Sequence, residues 1–210
     1  LSFGSTSKAT VSYKVISLNT IEIKLNNIKF KLKLNNINSN IINNILVCIL
    51  VLSFFKLNIG QSKNYFNKIK NTRGRGNIVK FRKKIIIIDD SYNSNPSSLK
   101  SSINEFEKLP TKKKKILVIG DMLELGKFSK KKHGEIGNYL SNMRFNRILL
   151  VGKESKEIFK KIKSTFWCKY FKNINIFSKY FKNVLIENSI IMFKASNGVG
   201  LNKLLNKKIY

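Results

Sequence analysis

The chain is short of the residues that usually make chemistry easy to read. One histidine, one tryptophan, two prolines and two cysteines are spread over 210 residues. With His133 the lone imidazole, no Ser/His/Asp or Cys/His constellation can be assembled around it, and a surface or packing role is expected for it. Cys48 and Cys168 share no short spacing and have no histidine beside them. That argues against metal ligation and against a disulfide framework, and it fits a reducing, cytoplasmic interior. No GxxxxGK[ST] phosphate loop occurs anywhere. The longest apolar run, ILVCILVLSFF from Ile45 to Phe55, is too short for a bilayer, which needs about 20 apolar residues. The first ten residues, LSFGSTSKAT, hold no apolar h-region, so no secretory signal is expected in them. The first residue is Leu; a start part-way through a longer protein and an alternative start codon both fit.

Acidic residues are also scarce, 11 against 41 Lys and Arg, for a net charge of +30. Such a balance on its own suggests nucleic acid or an anionic surface as a partner. Lys, Asn, Ile and Phe are all over-used, however, as an AT-rich genome would produce, and the cations are scattered rather than set in one stripe. The scatter favours compositional drift over a nucleic-acid footprint. Apolar residues still make up 42% of the chain and come in blocks, which is enough for a real core in one large or two small domains.

Two rhythms succeed one another along the chain. Residues 10–16 (TVSYKVI), 20–24 (TIEIK) and 28–34 (IKFKLKL) alternate apolar and polar side chains, the period of half-buried strands, with Asn26-Asn27 suited to a hairpin turn. Helices are expected over 41–55 and 61–70. The stretch NTRGRGN, Asn71 to Asn77, then interrupts the apolar pattern and divides residues 1–72 from 73–210. Beyond it, short β-branched runs at 85–89, 115–120, 147–152, 174–177 and 190–193 alternate with polar helical stretches at 97–108, 129–143, 154–163, 179–187 and 198–207. Alternation at this spacing predicts an α/β fold: a mostly parallel, Rossmann-like sheet with helices on both faces.

In such a sheet, ligands sit beyond the carboxyl ends of the strands. Those ends carry the polar residues: Asp89-Asp90-Ser91-Tyr92-Asn93, Gly120-Asp121, Gly152-Lys153 and Lys194-Ala195-Ser196. DDSYNSNP, Asp89 to Pro96, offers carboxylates for ribose hydroxyls or an amine; the plainer alternative is a cap for the helix near Ser97, with Pro96 in its first turn. GDMLELG, Gly120 to Gly126, is either an ordinary strand-to-helix loop or a place where Asp121 and Glu124 hold a cationic group. Arg73 and Arg75 stand among glycines, where a guanidinium can swing onto a phosphate, or they are a solvated linker. Lys112 to Lys115 reads as a solvated loop.

Taken together, DDSYNSNP, GDMLELG, then Ser129…His133…Gly137 and RILLVGKES resemble the Mur ligase family, in the branch that adds D-alanyl-D-alanine to UDP-N-acetylmuramoyl-tripeptide during cell-wall peptidoglycan synthesis. The resemblance covers the whole chain: residues 1–72 resemble the end of the family's central ATP-binding domain, and 73–210 its C-terminal domain. It implies ATP and Mg²⁺ as cofactors, and UDP-N-acetylmuramoyl-tripeptide and D-alanyl-D-alanine as substrates. It implies nucleotide-binding roles for Arg75, Asp90 and Asn93, and weaker ones on the adenine side for Asn40 and Asn43. It implies substrate-side roles for Asp121, Glu124, Lys194 and Ser196, and supplies no catalytic residue or metal ligand in this chain. The departures are Ala195 and Asn197 where the family has Gly and Arg, Asn202 where it has an acid, and a missing Gly, Arg and His before Asn40. The chain is therefore expected to be a fragment, inactive alone and completed by a separate chain or a longer precursor. A non-catalytic remnant and a basic nucleic-acid-binding protein are the rivals. The ligase reading requires Arg75, Asp90, Asn93 and Lys194 to meet along one rim.

Overall fold

The computed structural model describes residues 1–6, 8–17, 20–26, 28–34, 39–68, 74–81, 83–164 and 167–205, and it divides into two units, Leu1–Asn71 and Thr72–Tyr210.

The first unit is a four-stranded sheet with two helices. Strands β1 (Phe3–Gly4), β2 (Val11–Ser17), β3 (Thr20–Leu25) and β4 (Ile28–Lys33) lie in chain order, β1 parallel to β2 and the others antiparallel. The period-2 pattern sends Ile21, Ile23, Leu25 and Leu32 to one face. There they meet Ile42, Ile45, Leu46 and Ile49 of α1 (Ser39–Phe54), spaced as one stripe of a helix. Asn26 takes positive φ at the β3–β4 turn, as a tight hairpin requires; Asn27 lies outside the described residues. The second helix, α2 (Ile59–Asn67), is capped by Asn58, whose side chain accepts the Gln61 N–H.

The second unit is a six-stranded sheet in the order β5-β6-β10-β7-β8-β9. Its strands are β5 (Asn77–Phe81), β6 (Ile85–Asp90), β7 (Lys114–Gly120), β8 (Arg147–Val151), β9 (Cys168–Phe171) and β10 (Ser189–Lys194). Only β5 runs antiparallel. The helices are α3 (Pro96–Lys108), α4 (Ser129–Leu140), α5 (Ser155–Ile162) and α6 (Ile174–Tyr180). Alternate strand residues feed two cores. Val118, Leu149, Ile191 and Phe193 pack with Phe177, Phe181 and Leu204 on one side. Leu117, Ile119, Ile148 and Met192 pack with Leu99, Ile103, Ile136 and Ile158 of α3, α4 and α5 on the other. Burial of both faces is what the continuous apolar runs encode.

Three expectations are corrected. Ile174 to Phe177 is not a strand but the start of α6: Asn173 is extended and its side chain accepts the Ile176 N–H, which nucleates a helix. The strand lies just before it, at Cys168–Phe171. The stretch 179–187 is the end of α6 followed by a 3-10 turn over Phe181–Val184. The final helix is two 3-10 turns, Asn197–Val199 and Leu201–Leu205, split by Gly200 in the left-handed region, with residues beyond Leu205 outside the described ones.

The position of β10 decides which loops can share a site. This last strand returns between β6 and β7. The loops after β6, β7 and β10 therefore become neighbours at the carboxyl edge, where open α/β sheets place their ligands.

Candidate functional site

At the end of β6, two adjacent aspartates point to opposite faces. Asp89 is buried and turned into its own loop, accepting the Ser91 N–H at 3.2 Å and the Ser91 hydroxyl. Asp90 faces the other way. Its Oδ2 accepts from Ser102 Oγ of α3 at 2.8 Å and pairs with Lys194 Nζ at 2.8 Å. The parallel register explains the pair, since Lys194 of β10 lies directly across from Asp90. Lys194 is only 4% exposed, so its charge needs a partner. It has a second in the Asn93 carbonyl, 2.9 Å away. Oδ1 of Asp90 carries no bond among the described residues, and the side chain keeps 24% of its surface.

Gly74 to Gly76 is laced to the same place. The Gly76 N–H donates to the Asp89 carbonyl at 2.8 Å, and the Tyr92 N–H to the Gly74 carbonyl at 3.0 Å. Between these bonds the Arg75 guanidinium lies over the exposed Tyr92 ring, 4.6 Å from its centre. Arg75, Asp90, Asn93 and Lys194 thus share one rim, Asn93 through its carbonyl while its side chain is exposed. Arg73 lies outside the described residues.

Asp121, after β7, serves the scaffold. It is buried, and its carboxylate accepts the Ser155 N–H and hydroxyl at 2.7 Å each and the Glu154 N–H at 3.2 Å. These are donors at the start of α5, where a negative charge is favoured. Gly152, with φ 124°, passes so close that any Cβ would collide with the Asp121 carboxylate. Ser196 ties the loops together: its Oγ accepts the Leu123 N–H at 2.9 Å and donates to the Ser94 carbonyl at 3.3 Å. His133 is fully buried; Nε2 accepts the Met122 N–H at 3.0 Å, and Nδ1 lies 2.8 Å from the Ser129 carbonyl, placed to donate to it. Its role is to hold the loop after β7.

Glu124 lies outside this net. It sits at positive φ and, with Met122, Leu125, Lys127, Lys130 and Glu154, lines an open hollow. Apolar walls and both signs of charge suit a small zwitterion. Asn40 and Asn43 belong to α1 of the first unit; Asn43 is exposed, and the Asn40 side chain lies outside the described ones. Among the described residues no group of three or more His, Cys, Asp or Glu suits a metal ion. No described helix is long and apolar enough to cross a membrane. Ala195, where a glycine was expected, is fully buried and its Cβ occupies the space above Gly120. Asn197 accepts a hydrogen bond from Asn202 at 3.0 Å.

The sequence alone did not single out Tyr92, Ser102 or Ser155. Their partners lie 17, 12 and 34 positions away, and only the fold brings them together.

This arrangement coincides with a known domain: residues 74–197 match the Mur ligase, glutamate ligase domain. The chain belongs to the Mur ligase family. It is 28% identical over 209 residues to UDP-N-acetylmuramoyl-tripeptide--D-alanyl-D-alanine ligase of Rickettsia prowazekii, covering 98% of this chain and 46% of that one. Against the enzyme of the same name from Buchnera aphidicola subsp. Acyrthosiphon pisum it is 39% identical over 126 residues, 59% of this chain and 27% of the relative. The chain thus spans less than half the length of these curated relatives. Two solved structures share its fold: a MurF of Acinetobacter baumannii, with TM-score 0.81 at 18% identity, and the MurF ligase of Thermotoga maritima in complex with ADP, with TM-score 0.75 at 22% identity. Each covers 97% of this chain, which in turn covers 45% and 46% of them.

Proposed function

We propose that this chain is the carboxyl-terminal part of a cytoplasmic, ATP-dependent ligase that joins D-alanyl-D-alanine to UDP-N-acetylmuramoyl-tripeptide. The observation that carries the reading is the rim itself: an aspartate with one open oxygen and an arginine fork beside it, at the carboxyl edge of a parallel sheet. Asp90 Oδ1 accepts a ribose hydroxyl. Arg75 donates in bidentate fashion to phosphate oxygens. Lys194 fixes the Asp90 carboxylate and the Asn93 loop, and Asn93 faces the nucleotide.

The chemistry asks for stabilised phosphoryl charge. ATP transfers its γ-phosphoryl group to the tripeptide carboxylate. The amine of D-alanyl-D-alanine attacks the acyl phosphate, and phosphate leaves through a tetrahedral intermediate. The hollow at Glu124 receives the dipeptide, its carboxylates set for the ammonium and Lys127 and Lys130 for the carboxylate. Asp121 and Ser196 act on that substrate through the loops they hold. Mg²⁺, when bound, would neutralise charge on the phosphates; among the described residues no group of three or more His, Cys, Asp or Glu gathers to hold it.

The test is a chimera in which this chain follows the remaining half of the Rickettsia prowazekii relative. Phosphate release from ATP that requires both substrates is expected, and D90A should abolish most of it. The 210 residues alone, with no phosphate loop, should show none. A chimera that folds by circular dichroism and never turns over would contradict the proposal.

A further inference from the structure

We propose that Tyr92 is a positioning residue for Arg75, holding the guanidinium by its face so that its edge is presented to an anionic oxygen. The proposal rests on the reading of this rim as a nucleotide site, and adds a residue to which no role has been given.

The backbone sets where the two side chains start. Gly74 and Gly76 both sit in the left-handed region, φ 74° and 79°. A Cβ on Gly74 would come within 3.0 Å of both Tyr92 Cβ and Tyr92 N, so only glycine lets the two segments lie this close. Hydrogen bonds from Gly76 to Asp89 and from Tyr92 to Gly74 close the segment on either side, and the Arg75 N–H donates to Asn77 Oδ1 at 3.3 Å. The origin of the Arg75 side chain is therefore fixed against the loop that carries Tyr92. On the other side, the Asn197 N–H donates to the Tyr92 carbonyl at 3.1 Å, so the Tyr92 backbone is held from the loop after β10 as well.

The side chains then behave in a way that pure structure does not require. Tyr92 is 43% exposed, so its ring is not a core anchor. No carboxylate among the described residues pairs with Arg75; the ring face is its partner. Stacking uses the flat face of a guanidinium, whereas its five N–H donors point outward in the plane. Ring contact and bidentate phosphate contact are thus compatible in one geometry. A long side chain that would otherwise sample many rotamers is restricted before the ligand arrives, which is the usual gain from preorganisation. An exposed contact of this type contributes about 0.5–1 kcal/mol, equivalent to about two- to fivefold in affinity.

The experiment measures ADP affinity by calorimetry on the full chain and on Y92F, Y92L, R75A, D90A and the double variant R75A/Y92L, with melting temperatures as a control. Y92F keeps the ring face and should bind ADP as the parent does. Y92L should bind about two- to fivefold more weakly with an unchanged melting temperature. R75A/Y92L should bind no more weakly than R75A, because Tyr92 acts only through Arg75. If Y92L weakens binding equally in the presence and absence of Arg75, Tyr92 touches the nucleotide itself and the positioning role is overturned. If Y92L or R75A leaves affinity unchanged while D90A lowers it, the Tyr92 role fails and the nucleotide site stands. If ADP does not bind the folded chain at all, both fail.

Discussion

Replacing Lys194 with Met is the sharpest stability test the structure offers. Lys194 is 4% exposed, and its ammonium pairs with Asp90 at 2.8 Å and donates to the Asn93 carbonyl at 2.9 Å. Removing one member of a buried pair costs about 3–5 kcal/mol, because the other charge is left stranded. Two features place this site at the low end. Asp90 keeps the Ser102 hydroxyl, and its side chain is 24% exposed, so water reaches it. Methionine also replaces most of the aliphatic stem. The expected loss is about 3 kcal/mol, or roughly 10 °C in melting temperature for a unit of this size. Urea unfolding followed by fluorescence is well suited, since Trp167 is the only tryptophan and belongs to the second unit. The double variant K194M/D90L removes the stranded charge as well and should regain at least half of the loss. Were K194M within about 0.5 kcal/mol of the parent, or the double variant worse than K194M, the buried pair would not be what holds the rim.

Three further outcomes are expected from the same geometry. H133L leaves the Met122 N–H without its acceptor, and should cost about 1–3 kcal/mol by urea unfolding; an unchanged midpoint would show that His133 does not hold the loop. S155A removes one hydroxyl from the buried Asp121 carboxylate and should cost about 1.5–3 kcal/mol, measured the same way; an unchanged midpoint would show that this hydroxyl does not hold the carboxylate. Burial pushes the Cys168 thiol above its ordinary range, so at pH 8 it is thiolate less often than an unperturbed cysteine, and its reactivity should still be climbing at higher pH. Iodoacetamide followed by mass spectrometry should modify the exposed Cys48 first, and faster labelling of Cys168 would contradict the burial.

What the sequence disclosed, and what it hid, divide along a physical line. The runs at 85–89, 115–120, 147–152 and 190–193 are strands because a sheet buried on both faces needs unbroken apolar residues, and that composition is local. Ile174 to Phe177, apolar but for Asn175, is a helix because Asn173 caps it; a run of four residues does not separate the two states. Strand β5 was hidden because NIVKF is short, comes after a glycine-rich break and runs along an edge. For the site, the carboxyl ends of the strands were legible from alternation alone. In DDSYNSNP the capping reading holds, since Asn95 caps α3 with Pro96 in the first turn, and Asp90 of the same segment stands at the rim, paired with Lys194. The capture of Asp121 by Ser155 was invisible, since it depends on the loop geometry at Gly152.

The most direct measurement of the central claim is an amide chemical-shift titration of the ¹⁵N-labelled chain with ADP. A nucleotide seated on the rim moves the amides of residues 74–76, 90–93 and 194–196 most. Shifts confined to the opposite strand ends, at Lys83, Lys84, Lys113 and Arg147, would contradict it.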